Sequence, residues 1–339
     1  MKLKTGIIGC GKVGDFHAKA YAQLKNSKFT AVCDANLERA KAFAERYNIH
    51  AYSDIAEMIQ KEHLNVVSVC TPHPIHCDPA VTAAENGCNV LIEKPLASSL
   101  ADCDRIIEAG DKNHVTIGTM VQRRFYRPCM RIHEAIEAGK IGKPVLGMVT
   151  MLGWRDKAYY DSDAWRGTWA LDGGGALMNQ AVHGIDMLIM LGGDVKSVFA
   201  KCETKARNIE VEDTAAAIIK YKNGALGVME AATSLKDGQE TVLSVSGTDG
   251  MISFGDSEIL TWNTKDGSAA PSVKDSMGGK NCAWTGVFEG HRLLVENMAD
   301  AIENGTPLLI PACDARKAVD VILAIYRSSQ TGKEVFLDR

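Results

Sequence analysis

"KTGIIGCGKVGDFHAKAYAQL", residues 4–24, decides the fold. A short apolar run, a glycine turn and a helical pattern follow one another without a break. The turn carries Gly9, Gly11 and Gly14 in the spacing G-x-G-x-x-G. The first glycine permits the tight turn, the second lets backbone approach a pyrophosphate, and the third lets the helix pack against the strand. The helix start then offers free N–H groups and a positive dipole end to phosphates. The backbone of Gly9, Cys10, Gly11, Lys12 and Val13 is the expected cradle. Alone the motif is weak, but its context agrees. A second strand, "FTAVCDAN", ends in Asp34, about 20 residues after the last glycine, where a carboxylate accepts from ribose hydroxyls and repels a 2′-phosphate. No arginine follows directly, so NAD is favoured over NADP.

Outward from that unit the alternation continues. Helix "LERAKAFAERYN" leads to "HAYSD", then "IAEMIQKEH" to the buried strand "LNVVSVCTP". Helix "DPAVTAAENG" leads to "CNVLIEKP", then "SLADCDRIIEAGDKN" to "HVTIGTMVQ". Strands alternating with helices predict a parallel, doubly wound sheet, a Rossmann domain over residues 1–122, with ligands beyond the strand ends at "CTPHPIH" and "EKPL". From Gln122 the pattern changes. "RPCMRIHEAIEAG" is a helix with a glycine stop, and "IGKPVLGMVTMLGW", "VKSVFAKCET", "DTAAAIIKYKNG", "ALGVMEAATS" and "ETVLSVSGTDG" read as strands. Turns at "KNG" and "GTDG" predict hairpins, and two helices near 288–304 and 313–330 close the chain. Residues 123–339 are therefore expected to form an α/β domain with a large, mostly antiparallel open sheet.

The chain's 339 residues suit two domains, and 46% hydrophobic with 24% charged residues is ordinary for a globular protein. A net charge of −4 advertises neither nucleic acid nor an anionic membrane surface. No apolar run reaches the length of a membrane span, and "MKLKTGIIGCG" enters a strand with no signal-peptide core. Ten cysteines, scattered singly, fit reduced thiols and a cytoplasmic location.

Chemistry concentrates in three places. Lys94 follows an apolar strand in "IEKPL". Near a nicotinamide its ammonium would stabilise a developing alkoxide; the plainer reading is a surface lysine in a turn. "CTPHPIH" contains His73 and His76, but no further ligand lies nearby and the prolines break any helix, so no metal is expected. "WRDKAYYDSDAWRGTWALD" gathers Trp154, Tyr159, Tyr160, Trp165 and Trp169 with Arg155 and Arg166, in a chain only 6% aromatic. Rings stack on pyranose faces and arginines bind carboxylate or phosphate, so Arg155, Tyr160, Trp165 and Arg166 are expected to touch substrate. The alternative is a loop folded over its own tryptophans. Finally, "GGGALMNQAVHGIDML", residues 173–188, turns helical after Gly175. Asn179, His183 and Asp186 fall at i, i+4 and i+7 as a narrow polar stripe on an otherwise apolar helix, which favours a cleft over solvent.

"GIIGCGKVG", "CDANLERA", "CTPHPIHCDPA" and "EKPLASS", with "RRFYRP…AIEAGKIGKP" and "GGGALMNQAVHGID" downstream, resemble the glucose–fructose oxidoreductase/inositol dehydrogenase (Gfo/Idh/MocA) family over essentially the whole chain. The resemblance implies a dehydrogenase that oxidises a secondary alcohol of a sugar, inositol or sugar nucleotide, built as a homodimer or homotetramer on the open sheet face. It makes Lys94 and His183 the catalytic pair: His183 takes the hydroxyl proton while Lys94 stabilises the alkoxide, or the reverse. A histidine, with an ordinary pKa of about 6.5, suits that exchange. It places Thr71, Pro72, His76, Glu93 and Lys94 with the cofactor, Glu93 and His76 as structural partners, and Arg123, Asn179 and His183 with the substrate. Asp213 either touches substrate or caps a turn. Two positions depart from the family: His73 replaces an asparagine, and Asn179 stands where many relatives carry aspartate. An amide cannot stabilise an imidazolium but can bind a sugar hydroxyl or acetamido group, which leans towards a glycoside or nucleotide sugar. The alternatives are an inositol dehydrogenase, an oxidoreductase that keeps its cofactor between two substrates, dehydrogenation within a lyase or glycosidase cycle, and a non-catalytic NAD-binding regulator.

Overall fold

The strand Val66–Val69 buries every side chain and Asn89–Glu93 all but its first, the pattern of strands covered by helices on both faces. The computed structural model describes residues 2–273 and 283–337, with backbone alone for 283–287. Six strands form one parallel sheet: β1 (Leu3–Ile8), β2 (Ser27–Cys33), β3 (His50–Tyr52), β4 (Val66–Val69), β5 (Asn89–Glu93) and β6 (Ile117–Met120). Their order, β3-β2-β1-β4-β5-β6, reverses direction of travel between β1 and β4, which opens a crevice at the carboxyl ends there. The connections are α1 (Lys12–Gln23), α2 (Leu37–Tyr47), α3 (Ile55–Glu62), α4 (Cys77–Glu85) and α5 (Leu100–Asn113). Local signals set their ends. Asn36, Asp54 and Ser99 each accept a backbone N–H three residues on, while Asn48, His63 and His114 stop their helices in the left-handed conformation. The described residues of Met1–Gln122 pack as one unit with those of Val287–Arg316. The chain thus returns to its first unit near the end, which the change of pattern at 122 does not announce.

The second unit comprises the described residues of Arg123–Gly286 and Lys317–Arg339. Its strands are β7 (Pro144–Leu152), β8 (Val195–Glu203), β9 (Thr214–Tyr221), β10 (Leu226–Ala232), β11 (Val242–Gly247), β12 (Met251–Phe254), β13 (Ile259–Asn263) and β14 (Val335–Phe336). They pair in the order β13-β12-β11-β7-β10-β9-β8-β14. Only β7 and β10 run parallel; the other described neighbours are antiparallel, with the β9–β10 and β11–β12 hairpins at the two expected turns. The last three strands carry no clear period in the sequence, and β13 shows no alternation of burial. Its helices are α6 (Arg127–Glu137), α7 (Lys157–Asp161), α8 (Trp169–Asp172), α9 (Val182–Gly192) and most of α11 (Ala312–Thr331), whereas α10 (Ala283–Asn304) belongs mainly to the first unit. Ile132, Val149, Leu177, Ile185, Tyr221, Met229, Leu243 and Ile325 meet in the core of this unit. The opposite sheet face leaves Met148, Phe199, Ile218 and Leu226 exposed. Among the described residues no helix is long and apolar enough to cross a membrane.

The expected polar stripe needs correction. Ala176–Ala181 form a π turn rather than regular α-helix, and α9 begins only at Val182. The wider turn breaks the 3.6-residue register. Asp186 is fully buried and accepts from Arg124 through Nε and Nη2, both at 2.6 Å. Arg124 itself is 6% exposed. Removing one charge of such a pair is expected to cost about 3–5 kcal/mol. Urea unfolding of Asp186→Ala checks it; a loss below about 1 kcal/mol, typical of a surface pair, would contradict this account.

Candidate active site

Gly9 leaves β1 at φ +100°, and a Cβ there would lie 2.7 Å from the Cys70 carbonyl oxygen. A Cβ at Gly14 would lie 2.6 Å from the Gly9 oxygen, so strand, turn and α1 close on one another without side chains. At Gly11 a Cβ would meet no protein atom within 4 Å, and Gly11, Lys12 and Val13 are exposed at the start of α1. The Cys10 thiol turns inward to the Cys33 carbonyl, while its backbone N–H donates to Asp34 Oδ2 at 3.0 Å. Asp34 Oδ1 accepts from the Asn36 N–H. Bare backbone N–H groups at a helix start, beside a carboxylate, fit a dinucleotide. One neighbour escaped the sequence reading: Arg39 Nη1 lies 3.7 Å from Asp34 Oδ2, a turn of helix further along.

At the ends of β4 and β5 the side chains hold backbone. Thr71 donates to the Ile75 carbonyl at 3.0 Å, inside a turn that begins at Pro72. His76 is fully buried, its Nδ1 2.9 Å from the Pro95 carbonyl and its Nε2 3.0 Å from that of Thr71. A neutral ring can donate to only one of them. Burial nonetheless keeps its pKa below the ordinary value, against the pull of both carbonyls. His76 thus ties the two turns together through backbone. His73, also buried, packs edge-on against it. Glu93 is 6% exposed; Oε1 faces His17 Nε2 at 3.0 Å and His291 Nε2 at 3.2 Å, and Oε2 accepts the Lys94 N–H at 3.1 Å. Burial works against its charge, but the two imidazoles outweigh it and hold the carboxyl well below its usual range. Lys94 is half-buried. Among the described residues it is His17, Glu93 and His291, not the H-x-x-H pair, whose ligand atoms lie close enough together to share an ion.

In the second unit the glycine run has a partner. A Cβ at Gly175 would fall 1.9 Å from the Glu212 carbonyl oxygen, so only glycine lets the two backbones meet. The Glu212 carboxylate then takes the N–H groups of Gly175 and Leu177 and the hydroxyl of Tyr326, at 2.8–3.0 Å. This acceptor fixes the segment that carries Asn179 and His183. His183 is 8% exposed. Asn179 Nδ2 donates to Asp172 Oδ1 at 3.0 Å, and Asp172 Oδ2 accepts the Gly167 N–H. A carboxylate therefore stands beside the Asn179 amide. Tyr159, Tyr160, Asp172, Gly175, Asn179, Gln180 and Thr233 line one cleft. Asp213 is fully buried and caps a turn: its oxygens accept from Lys205, Ala206 and Arg207 N–H.

The aromatic loop folds largely on itself. The Arg166 guanidinium lies 4.2 Å from the Tyr159 ring centre and 4.4 Å from that of Trp165. Arg155 lies 5.1 Å from Tyr159 and donates to Gln180 Oε1, while Tyr160 shares a hydrogen bond with Thr233. Arg207, unremarked in the sequence, stacks on Trp154 at 3.9 Å. Arg123 is paired with Asp256. Of the residues expected to meet substrate, only Tyr160 and Asn179 line the cleft; Arg155 borders it through Gln180, and Arg123 and Arg166 are engaged by protein groups. Residues the sequence did not single out are His17, His291, Asp172, Glu212 and Arg39. His17 had a faint signal, as a histidine on the packed side of α1. The others had none.

A six-stranded parallel sheet with this glycine turn, and a carboxylate ending its second strand, defines an NAD-binding oxidoreductase domain. The family comparison agrees: the model described as "Oxidoreductase family, NAD-binding Rossmann fold" matches residues 3–121, and "GFO/IDH/MocA C-terminal domain" matches 129–253. The chain belongs to the Gfo/Idh/MocA family and is an NAD-dependent oxidoreductase acting on CH–OH groups. It is 31% identical to myo-inositol 2-dehydrogenase of Thermotoga maritima over 74% of each chain. With scyllo-inositol 2-dehydrogenase (NAD(+)) of Bacillus subtilis it shares 26% over 99% of this chain and 97% of that one. The WlbA dehydrogenase of Bordetella pertussis, solved with NADH and UDP-GlcNAcA, superposes with a TM-score of 0.89 at 28% identity over 100% of both chains.

Glu212 makes a pH prediction. Burial raises its carboxyl from the ordinary 4.5 to about 7, against the donors that favour the ion. Between those values the folded state holds a proton that the unfolded state has released. Stability should therefore fall as pH rises through that window, by about 3 kcal/mol in all. Urea midpoints at pH 5 and 8 should show this fall in the wild type and little of it in Glu212→Gln. Equal slopes in both would remove the assignment.

Proposed function

We propose that the chain reversibly oxidises a secondary ring hydroxyl of a sugar, glycoside or nucleotide sugar, with Lys94 and His183 managing the proton. The observation that carries this is the cleft lined by Tyr159, Tyr160, Asp172, Asn179, Gln180 and Thr233, a set of hydroxyl partners of which Asn179 and Gln180 lie on the segment that also bears His183. Gly9–Val13 and Asp34 would hold NAD, which would supply the acceptor for the hydride of the carbinol carbon. His183 accepts the hydroxyl proton, and Lys94 stabilises the alkoxide. Asp172, held beside Asn179, gives the substrate side a carboxylate acceptor and orients the amide towards a hydroxyl or acetamido group. In this reading the unit built on residues 1–122 binds NAD, and the unit built on 123–286 and 317–339 supplies substrate contacts and the oligomer surface. The buried free thiols Cys10, Cys33, Cys77, Cys88, Cys103 and Cys129 suit a reducing, cytoplasmic setting.

Initial rates at 340 nm across free sugars, inositols, glycosides and UDP-sugars identify the substrate. An inositol is the second reading, favoured by the identity with the Thermotoga enzyme. On the best substrate, Lys94→Met and His183→Ala should each lose about 10²–10⁴-fold in turnover while NADH binding, followed by fluorescence, persists. Near wild-type turnover in either variant overturns the assignment.

The exposed sheet face supports a homo-oligomer. Phe199, Ile218, Val228 and Met148 are successive cross-strand neighbours on β8, β9, β10 and β7, a continuous apolar row. Such a row on an open sheet is covered in a stable soluble protein. Light scattering should find a dimer or tetramer that Ile218→Glu converts to monomer with its fold intact. A wild-type monomer would exclude this surface as an interface.

A further inference from the structure

We propose that His17 and His291 are positioning residues that hold the Lys94 turn through Glu93; the catalytic meaning of this rests on Lys94 acting as proposed above. The cluster lies wholly within the first unit. Glu93 ends β5, His17 comes from α1, and His291 arrives from α10. His17 is fully buried and His291 is 3% exposed. Their rings meet edge to face, 5.4 Å apart.

The donor directions follow from the chemistry. An ionised Glu93 can only accept, so His17 Nε2 and His291 Nε2 must both carry protons towards Oε1. With its proton on Nε2, neutral His17 accepts at Nδ1, 2.8 Å from Ser68 Oγ. The Ser68 hydroxyl therefore donates to His17, and its oxygen accepts from Tyr21, 2.8 Å away. Every hydrogen bond in the chain Tyr21–Ser68–His17–Glu93 then points the same way. It ends on a carboxylate whose other oxygen grips the Lys94 N–H. A buried carboxylate with one donor missing is unstable in that orientation, so both imidazoles are needed to keep Oε2 on Lys94. The same three residues could be read as a two-histidine, one-carboxylate metal set. The hydrogen bonds favour the positioning role, because Ser68 and Tyr21 already orient His17 for Glu93, whose contact distances are those of ordinary N–H···O bonds.

The test compares wild type, His291→Ala, His291→Gln and Lys94→Met, each saturated with NADH. Hydrogen exchange followed by mass spectrometry reads the peptide containing Lys94 and, as control, the β1–α1 peptide. His291→Ala should speed exchange at Lys94 about tenfold with the control unchanged and the NADH Kd within about threefold; His291→Gln, which keeps a side-chain N–H, should restore protection. On the substrate found by the rate screen, His291→Ala should lower kcat about 10- to 100-fold with little change in KM. Unchanged exchange at Lys94, a loss of protection spread over both peptides, or no rescue by glutamine would overturn the proposal. So would one equivalent of transition metal in the purified wild type. Full turnover in Lys94→Met would instead defeat the catalytic reading of Lys94, leaving the exchange result to judge the positioning by itself.

Discussion

A carboxylate buried in a protein keeps its charge only among donors, and a chain turning between elements leaves N–H groups that need acceptors. Here the two needs answer each other at turn after turn. Asp34 takes the N–H groups of Cys10 and Asn36, and Glu93 that of Lys94. Asp172 takes Gly167, Glu212 takes Gly175 and Leu177, and Asp213 takes the run Lys205–Arg207. Each of these acids is buried. Backbone held by a buried acid has few alternative positions, which is what a site needs if its side chains are to wait in place.

Glycine completes the device where acid and turn must come close. Gly9 leaves its strand in a conformation other residues rarely adopt, and Gly175 lets the backbone of Glu212 approach closer than any Cβ allows. The glycine-rich stretch at 173–175 therefore serves a close backbone approach. Its job is contact with Glu212, and the π turn that follows sets the direction of α9. The buried Arg124–Asp186 pair then anchors that helix from its far side, at the cost of desolvating two charges.

Much of the first unit could be read in advance because its signals are local. Gly9, Gly11 and Gly14 lie within six residues, Asn36, Asp54 and Ser99 cap from three residues away, and each buried strand is a short apolar run. The loop at 154–169 was visible as composition but not as geometry. Nothing in the order of its residues tells whether Arg155 and Arg166 face a ligand or their own rings, because cation–π pairs form through space. Asn179 read as a lone amide in place of an acid. Its partner Asp172 is seven residues upstream, brought round by Gly173 and Gly174 with φ of +75° and +158°.

The residues alone therefore determine the order of elements through residue 122, the dinucleotide turn and the family, since periodicity, caps and glycine spacing act over a few positions. The partners of the chemically important groups come from folding. His291 reaches Glu93 across 198 positions, Glu212 reaches Gly175 and Leu177 across 37 and 35, and Asp186 reaches Arg124 across 62. A buried charge chooses whichever donor the packed chain brings to it, and no local pattern records that choice.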